Sequence, residues 1–320
     1  MKKVLITVVF IFAFVSTAFP QNYVSKEILR AHWGSEKGQL GLFYGGPEPT
    51  YDFPRDMAID EKGNIYISDY VNKRVVKFNP SGNYEKNIGE TYGDIKSNTF
   101  YENIGVDSDD NVYAYDKHNY NIVKFNPSGI FKSVIKVKGT DAGIQMRVNI
   151  SGDIYINDFI SKKKLVKKGG LLGLLGDEAY VAEESDFAYE SPGGNVYNFK
   201  KVDSKAKFKR IKKVSKGPFG IATSVDATEK DLSATFHANK GDRFIGFDNY
   251  DNYYIADYHY NYIRKYDPDG NLIIQLELPK NPGIEGYEFR IVKVDGKGNI
   301  YNFLYEDKEA WIVKMEKVAE

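Results

Sequence analysis

Apolar positions come in short runs broken by Gly, Asn, Asp and Pro, the pattern of short strands joined by tight turns. Residues 57–60 read as an apolar strand. Asp60-Glu61-Lys62-Gly63-Asn64 follows as a turn, with Gly and Asn where positive φ is needed. Residues 65–68 and 75–78 read as second and third strands, and Asn79-Pro80-Ser81-Gly82 as a turn with Pro at its second position. That turn recurs as Asn126-Pro127-Ser128-Gly129 and Asp267-Pro268-Asp269-Gly270, and residues 271–278 show the fourth strand that follows it.

The unit repeats. Gly63-Asn64-Ile65-Tyr66, Asp110-Asn111-Val112-Tyr113, Gly152-Asp153-Ile154-Tyr155, Gly194-Asn195-Val196-Tyr197, Asp251-Asn252-Tyr253-Tyr254 and Gly298-Asn299-Ile300-Tyr301 align with Asn or Asp second and Tyr fourth, at spacings of 42–57 residues. Asp69, Asp116, Asp158 and Asp257 follow the second strand in four repeats, while repeat four has Lys200 there. Four short antiparallel strands in such a period make one blade of a propeller.

Phe53-Pro54, Asp60, the Gly63–Tyr66 tetrad, Asp69, Asn72-Lys73-Arg74 and Val75-Val76-Lys77-Phe78 together resemble an NHL repeat. The resemblance runs over residues 53–315. It is strong in repeats one, two and five, and looser in three and four. It implies an all-β, six-bladed propeller of four-stranded antiparallel blades, but not one function. The last repeat offers three strands, near residues 291–294, 300–304 and 311–315. Residues 27–33 are therefore expected to close the ring as the outer strand of the final blade, removing an exposed edge.

Composition fits this reading: 15% of residues are aromatic, and 44 basic residues balance 44 acidic ones, which argues against nucleic acid as a partner of the whole molecule. Lys2 and Lys3, an apolar run over residues 4–15 and Ser16-Thr17-Ala18 read as a signal peptide over residues 1–18. A single propeller domain over 19–320 is expected, periplasmic or secreted, with no membrane span after cleavage. Cysteine is absent, so neither a disulfide framework nor a lipid-attachment Cys is available.

Register locates candidate ligand residues. Five positions before the turn Asp stand Arg55, Glu102, Ile144, Asp186, Arg243 and Arg290; the next position holds Asp56, Asn103, Gln145, Phe187, Phe244 and Ile291. Two residues beyond these come Ala58, Gly105, Arg147, Tyr189, Gly246 and Lys293. Intervening apolar residues should pack between blades and the polar alternates face the channel. Arg55, Arg243 and Arg290 could hold a planar anion, with Glu102 and Asp186 orienting them, or the five could form an ion-pair ring. Arg55, Glu102, Asn103, Arg147, Asp186, Arg243 and Arg290 are the ligand-binding candidates.

No metal or other cofactor is expected under this reading. The alternative is a metal-assisted hydrolase or lyase, lactonase-like, with calcium or zinc held by Asp56, Glu102 and Asn103. Adjacent Glu102 and Asn103 should point to opposite sides, which weakens that cage. His118 and His259 occupy equivalent loops across the ring, too far apart to share an ion. Residues 200–216 carry nine Lys or Arg against Asp203, and residues 162–168 add five more. They form a basic edge for an anionic glycan or protein, or a solvated edge that blocks aggregation. Leu171-Leu172-Gly173-Leu174-Leu175-Gly176 is a buried strand or a contact surface, and the long interval 217–242, with Phe236 and His237, is a candidate lid. The leading expectation is a non-catalytic binding or scaffold propeller acting on a protein, anionic glycan or small anion.

Overall fold

A computed structural model describes residues 23–45, 50–90, 99–136, 144–149, 152, 154–158, 164–168, 180–184, 189–193, 195–202, 205–216, 222–226, 230–232, 242–257, 261–284 and 290–318. Six antiparallel sheets form six blades around one channel. Blade 1 runs outward from Met57–Ile59 through Ile65–Asp69 and Arg74–Phe78 to Tyr84–Ile88. The innermost strands of blades 2 to 6 are Tyr101–Val106, Ile144–Val148, Tyr189–Glu190, Asp242–Phe247 and Ile291–Val294. Blade 4 carries a fifth strand, Lys230–Asp231, paired to Lys205–Lys216.

Closure follows the expected route, over a longer stretch. Tyr23–His32 pairs antiparallel with Glu309–Lys317, from Tyr23↔Lys317 to His32↔Glu309, and becomes the outer strand of blade 6. Leu29 and Ala31 point inward, 3% exposed each, and join a core cluster with Ile312, Phe303 and Met57. Ion pairs of Arg30 with Glu27 and Glu309, and the Arg30 guanidinium over the Trp311 ring, hold the outer face.

The repeated residues are used up in one turn. Asp60 accepts hydrogen bonds from Lys62 N (3.0 Å), Asn64 N (2.8 Å), Asn64 Nδ2 (2.7 Å) and the Tyr66 hydroxyl (3.2 Å). Asp107, Asp248 and Asp295 receive the same set from their own Asn and Tyr. Gly63, Gly152 and Gly298 have φ of 87°, 83° and 85°; Asp110 and Asp251 reach 60° and 63° at the same place. Burial, then the facing carboxylate, raises the pKa of Tyr66, Tyr254 and Tyr301. Blade 4 departs: Ser191 replaces the Asp and takes only Asn195 N (3.1 Å), while Asp251 of blade 5 holds Asn195 Nδ2 (2.8 Å) and Gly193 N (2.6 Å).

The Asp after the second strand is a loop clamp. Asp69, fully buried, accepts from Gly41 N (2.8 Å), Asn72 Nδ2 (2.8 Å) and Arg74 Nε (2.9 Å). Burial nevertheless pushes its pKa up, against the pull of Asn72 and Arg74. Asp116 accepts from His118 N and from Asn119 N and Nδ2.

Candidate ligand site in the central channel

The channel wall is set by one register position. Blades 1, 2 and 5 present Ala58, Gly105 and Gly246 there, whereas blades 3 and 6 present Arg147 and Lys293. Three small residues leave room and two long cations reach across it. Arg147 donates to Ile245 O (2.6 Å) and Phe244 O of blade 5, and its guanidinium lies 4.8 Å from the Phe244 ring centroid. Lys293 pairs with Asp56 of blade 1 (2.7 Å), whose other oxygen accepts Ile104 N of blade 2 (3.1 Å). One buried carboxylate thus ties blades 6, 1 and 2 together.

What remains is a cavity of about 330 Å³. Its wall is mixed, with apolar residues such as Met57, Ile104, Met146, Val148, Phe247 and Val294 beside Asp107, Ser108, Asn149 and Asn249. The first turn of each blade forms its rim, with Glu61, Ser108 and Asn249 exposed there. The rim carboxylates Asp60, Asp107 and Asp295 are occupied by the turn bonds already described. The cavity therefore lies toward the turn end of the innermost strands, not toward the loops leading into them. Register pointed to the latter end; the run of small residues at Ala58, Gly105 and Gly246 was the sequence signal for the former.

Of the sequence candidates, Arg147 lines the cavity. The others stand toward the opposite mouth or outside the described residues. Arg55 pairs with Asp52 and lies over the Tyr70 ring (4.8 Å). Glu102 pairs with Lys117 (2.9 Å) and Arg290 donates to Asn261 Oδ1 (2.7 Å). Arg243 is exposed, on the innermost strand of blade 5. Asp186 lies outside the described residues, as do His237, His259 and residues 171–176. The register slips between Tyr101 and Asn103, so Glu102 sits in a bulge and strict alternation does not govern where it points.

A calcium or zinc cage does not fit these residues. Asp56 is shared between Lys293 and a backbone amide, Glu102 is paired with Lys117, and among the described residues no three His, Asp or Glu side chains converge. His118 is exposed and lies 6.4 Å from Phe100, ring to ring. The basic strands Val196–Val202 and Lys205–Lys216 pair as a hairpin, in which Arg210 is 7% exposed. Arg210 bonds Asp269 (2.9 Å) and Pro268 O (3.0 Å), docking blade 4 onto a turn of blade 5.

The NHL repeat family matches residues 51–78, the span of blade 1's first three strands. No curated protein matches the chain in sequence. Among solved structures, a luciferin-regenerating enzyme aligns over 93% of this chain and 96% of its own at 13% identity, with a TM-score of 0.53. A streptogramin B lyase aligns over 93% and 98% at 12% identity and 0.51. A calcium-binding protein, regucalcin, from Agrobacterium tumefaciens aligns over 83% and 92% at 11% identity and 0.50. At such identities the likeness is one of fold. The chain is a β-propeller, with the architecture of the six-bladed propellers it matches and one segment that matches the NHL repeat.

Proposed function

We propose that this protein is an exported binding propeller that holds a small amphiphilic molecule, an apolar body with an anionic head, in its central cavity. The observation that carries this reading is the cavity itself: about 330 Å³ with a wall of mixed apolar and polar surface into which two cations reach, Arg147 and Lys293. Ligand sites combine apolar walls with a few placed polar groups. Arg147 donates to two backbone carbonyls at the cavity, and Lys293 can exchange Asp56 for a ligand anion. Export rests on the basic and apolar N-terminal residues, which precede the described part. Binding rather than catalysis is supported by the commitment of Asp56, the one carboxylate at the channel's waist among the described residues, to an ion pair and a structural amide.

The test uses 1-anilinonaphthalene-8-sulfonate, whose rings and sulfonate have the expected chemistry. Native protein should bind one equivalent with enhanced fluorescence. Gly246→Met should abolish binding, because among the described residues only Arg147 Nη1, at 3.8 Å, lies near a Cβ built there and the longer side chain extends into the cavity. Lys293→Met should weaken binding at least fivefold. Binding unchanged in Gly246→Met, with the fold intact by circular dichroism, would place the dye elsewhere and remove the proposal.

A further inference from the structure

On the side of the ring opposite the cavity rim, aromatic side chains run in a continuous arc over blades 1 and 2. The arc starts on the hairpin formed by Phe43–Gly45 and Thr50–Asp52, where Tyr44 faces Tyr51 directly across the ladder. Their ring centroids are 4.5 Å apart, and Tyr51 stacks on Phe53 at 6.4 Å with an interplanar angle of 10°. The Arg55 guanidinium continues the line, lying 5.9 Å from Phe53 and 4.8 Å from Tyr70. Tyr70 meets Phe100 at 5.0 Å, and Phe100 meets His118 at 6.4 Å. Core packing accounts for Phe53, 3% exposed in the core cluster against which Tyr51 packs, but not for the rest of the arc. Tyr44 is 57% exposed and Phe43 52%, His118 is exposed, and Tyr51, Tyr70 and Phe100 are half-buried.

Beside the rings stand hydrogen-bonding atoms that the fold leaves without partners. Arg55 Nε, Glu102 Oε2 and Asn103 Oδ1 are buried and make no hydrogen bond. A buried polar atom left unpaired costs about 1–3 kcal/mol, so three near one mouth call for a ligand that supplies both donors and acceptors. A hydroxyl is such a group, donor and acceptor at once. Surfaces that bind anions would concentrate cations. Here Arg55 is balanced by Asp52 and Lys117 by Glu102, while Lys73 lies over the Phe100 ring at 4.8 Å, so cations do not dominate the arc. Ring faces in series, spaced at 4.5 to 6.4 Å, flanked by mostly paired charge and unsatisfied donors and acceptors, match the alternating apolar faces and hydroxyl edges of linked pyranoses.

We propose that the arc of Tyr44, Tyr51, Arg55, Tyr70, Phe100 and His118 is a carbohydrate-binding surface for an oligosaccharide chain. It is a second site, independent of the central cavity. Sugars stack their C–H faces on Tyr44, Tyr51 and Tyr70, while the partly exposed Arg55 and Glu102 side chains bond hydroxyls at the edge.

The experiment is calorimetric titration of the mature protein with cellohexaose, chitohexaose, xylohexaose and hexagalacturonate. At least one uncharged hexasaccharide should bind with a Kd below about 1 mM, the weak range open to an exposed surface of this size. Tyr44→Ala and Tyr70→Ala should each weaken it tenfold or more, whereas Tyr250→Ala, 76% exposed on the opposite rim, should leave it unchanged. Tyr44 is exposed, so its loss leaves the fold intact, and circular dichroism checks this. Failure of every hexasaccharide to bind overturns the proposal, as does binding indifferent to Tyr44→Ala and Tyr70→Ala. Binding confined to hexagalacturonate and lost in high salt overturns it too, because that is anion capture. Self-association that Tyr44→Ala abolishes would make the arc a contact between copies and also overturn it. Gly246→Met leaves sugar binding unchanged, so failure of the cavity reading and failure of this one are separable.

Discussion

Replacing Asp60 by Ala tests whether the repeat is a structural device. The carboxylate is 5% exposed and takes four hydrogen bonds. Lys62 N lies at the turn surface and can bond water once Asp60 is gone. Asn64 N and the Tyr66 hydroxyl cannot, since Asn64 is 8% and Tyr66 1% exposed. Two stranded buried donors, with the lost charge-assisted bond to the Asn64 amide, come to about 3–5 kcal/mol. That is a fifth or more of the total for a protein of ordinary stability, about 5–15 kcal/mol. Blade 4 supplies the comparison inside the same molecule. Ser191 Oγ takes a single bond from Asn195 N, and Asp251 holds the Asn195 amide instead. Ser191→Ala should therefore cost about 1 kcal/mol. Asp60→Asn should fall between them, because it keeps one acceptor oxygen and the Tyr66 hydroxyl can turn to accept. Urea unfolding followed by circular dichroism, compared at a shared m-value, ranks the three. If Asp60→Ala falls within 1 kcal/mol of Ser191→Ala, the turn network is not what holds the blades in shape.

Two further outcomes follow from the same coordinates. A Cβ at Gly105 would overlap the Val148 side chain of blade 3, whereas one at Gly246 meets, among the described residues, only Arg147 Nη1 at 3.8 Å. Gly105→Ala should lose about 1–3 kcal/mol by overpacking and Gly246→Ala should be neutral or slightly stabilising in the same urea assay; equal effects would contradict the channel geometry. Tyr66, Tyr254 and Tyr301 have pKa values raised by burial and by their facing Asp. A phenol whose folded pKa exceeds its unfolded value of about 10 stabilises the fold fully below that pH and loses this as pH rises further. Their ionisation, read at 295 nm, should coincide with loss of the strand signal above pH 10; full titration of all tyrosines with the sheets intact would refute it.

The fold was legible because each blade spends the same residues on the same local problem. Asp, Gly or Asp, Asn and Tyr close the first turn, and their roles depend on neighbours within six positions, which sequence spacing preserves. Closure was legible because the last repeat lacks a strand. The channel was legible only in part. Register identified Ala58, Gly105, Arg147, Gly246 and Lys293 as one ring, but attention to charge favoured Arg55, Arg243 and Arg290 over the small residues that create the space. A bulge at Glu102 then broke the alternation on which that reasoning stood. The aromatic arc was invisible because its members come from a hairpin, two clamp loops and one strand start. None shares a spacing with the next.

The clamps also decide what kind of surface the arc is. Tyr70 and Lys73 lie in the loop that Asp69 binds through Asn72 and Arg74, and His118 lies in the loop that Asp116 binds through two backbone amides and Asn119. Lys73 and Tyr120 take φ of 57° and 53° at the same step of the two loops, so both follow one backbone path. The rings are thus carried by loops whose shape is set from inside the protein rather than by the ligand. Exposed side chains held this way lose little conformational freedom on contact, which raises the affinity a shallow surface can reach. The Ser68 hydroxyl donates to Tyr101 O and locks the blade 1 loop base to the blade 2 strand that follows Phe100. Tyr70 and Phe100 therefore belong to one rigid platform across the blade boundary, and the strict repeats one and two are the part of the ring best built to present it.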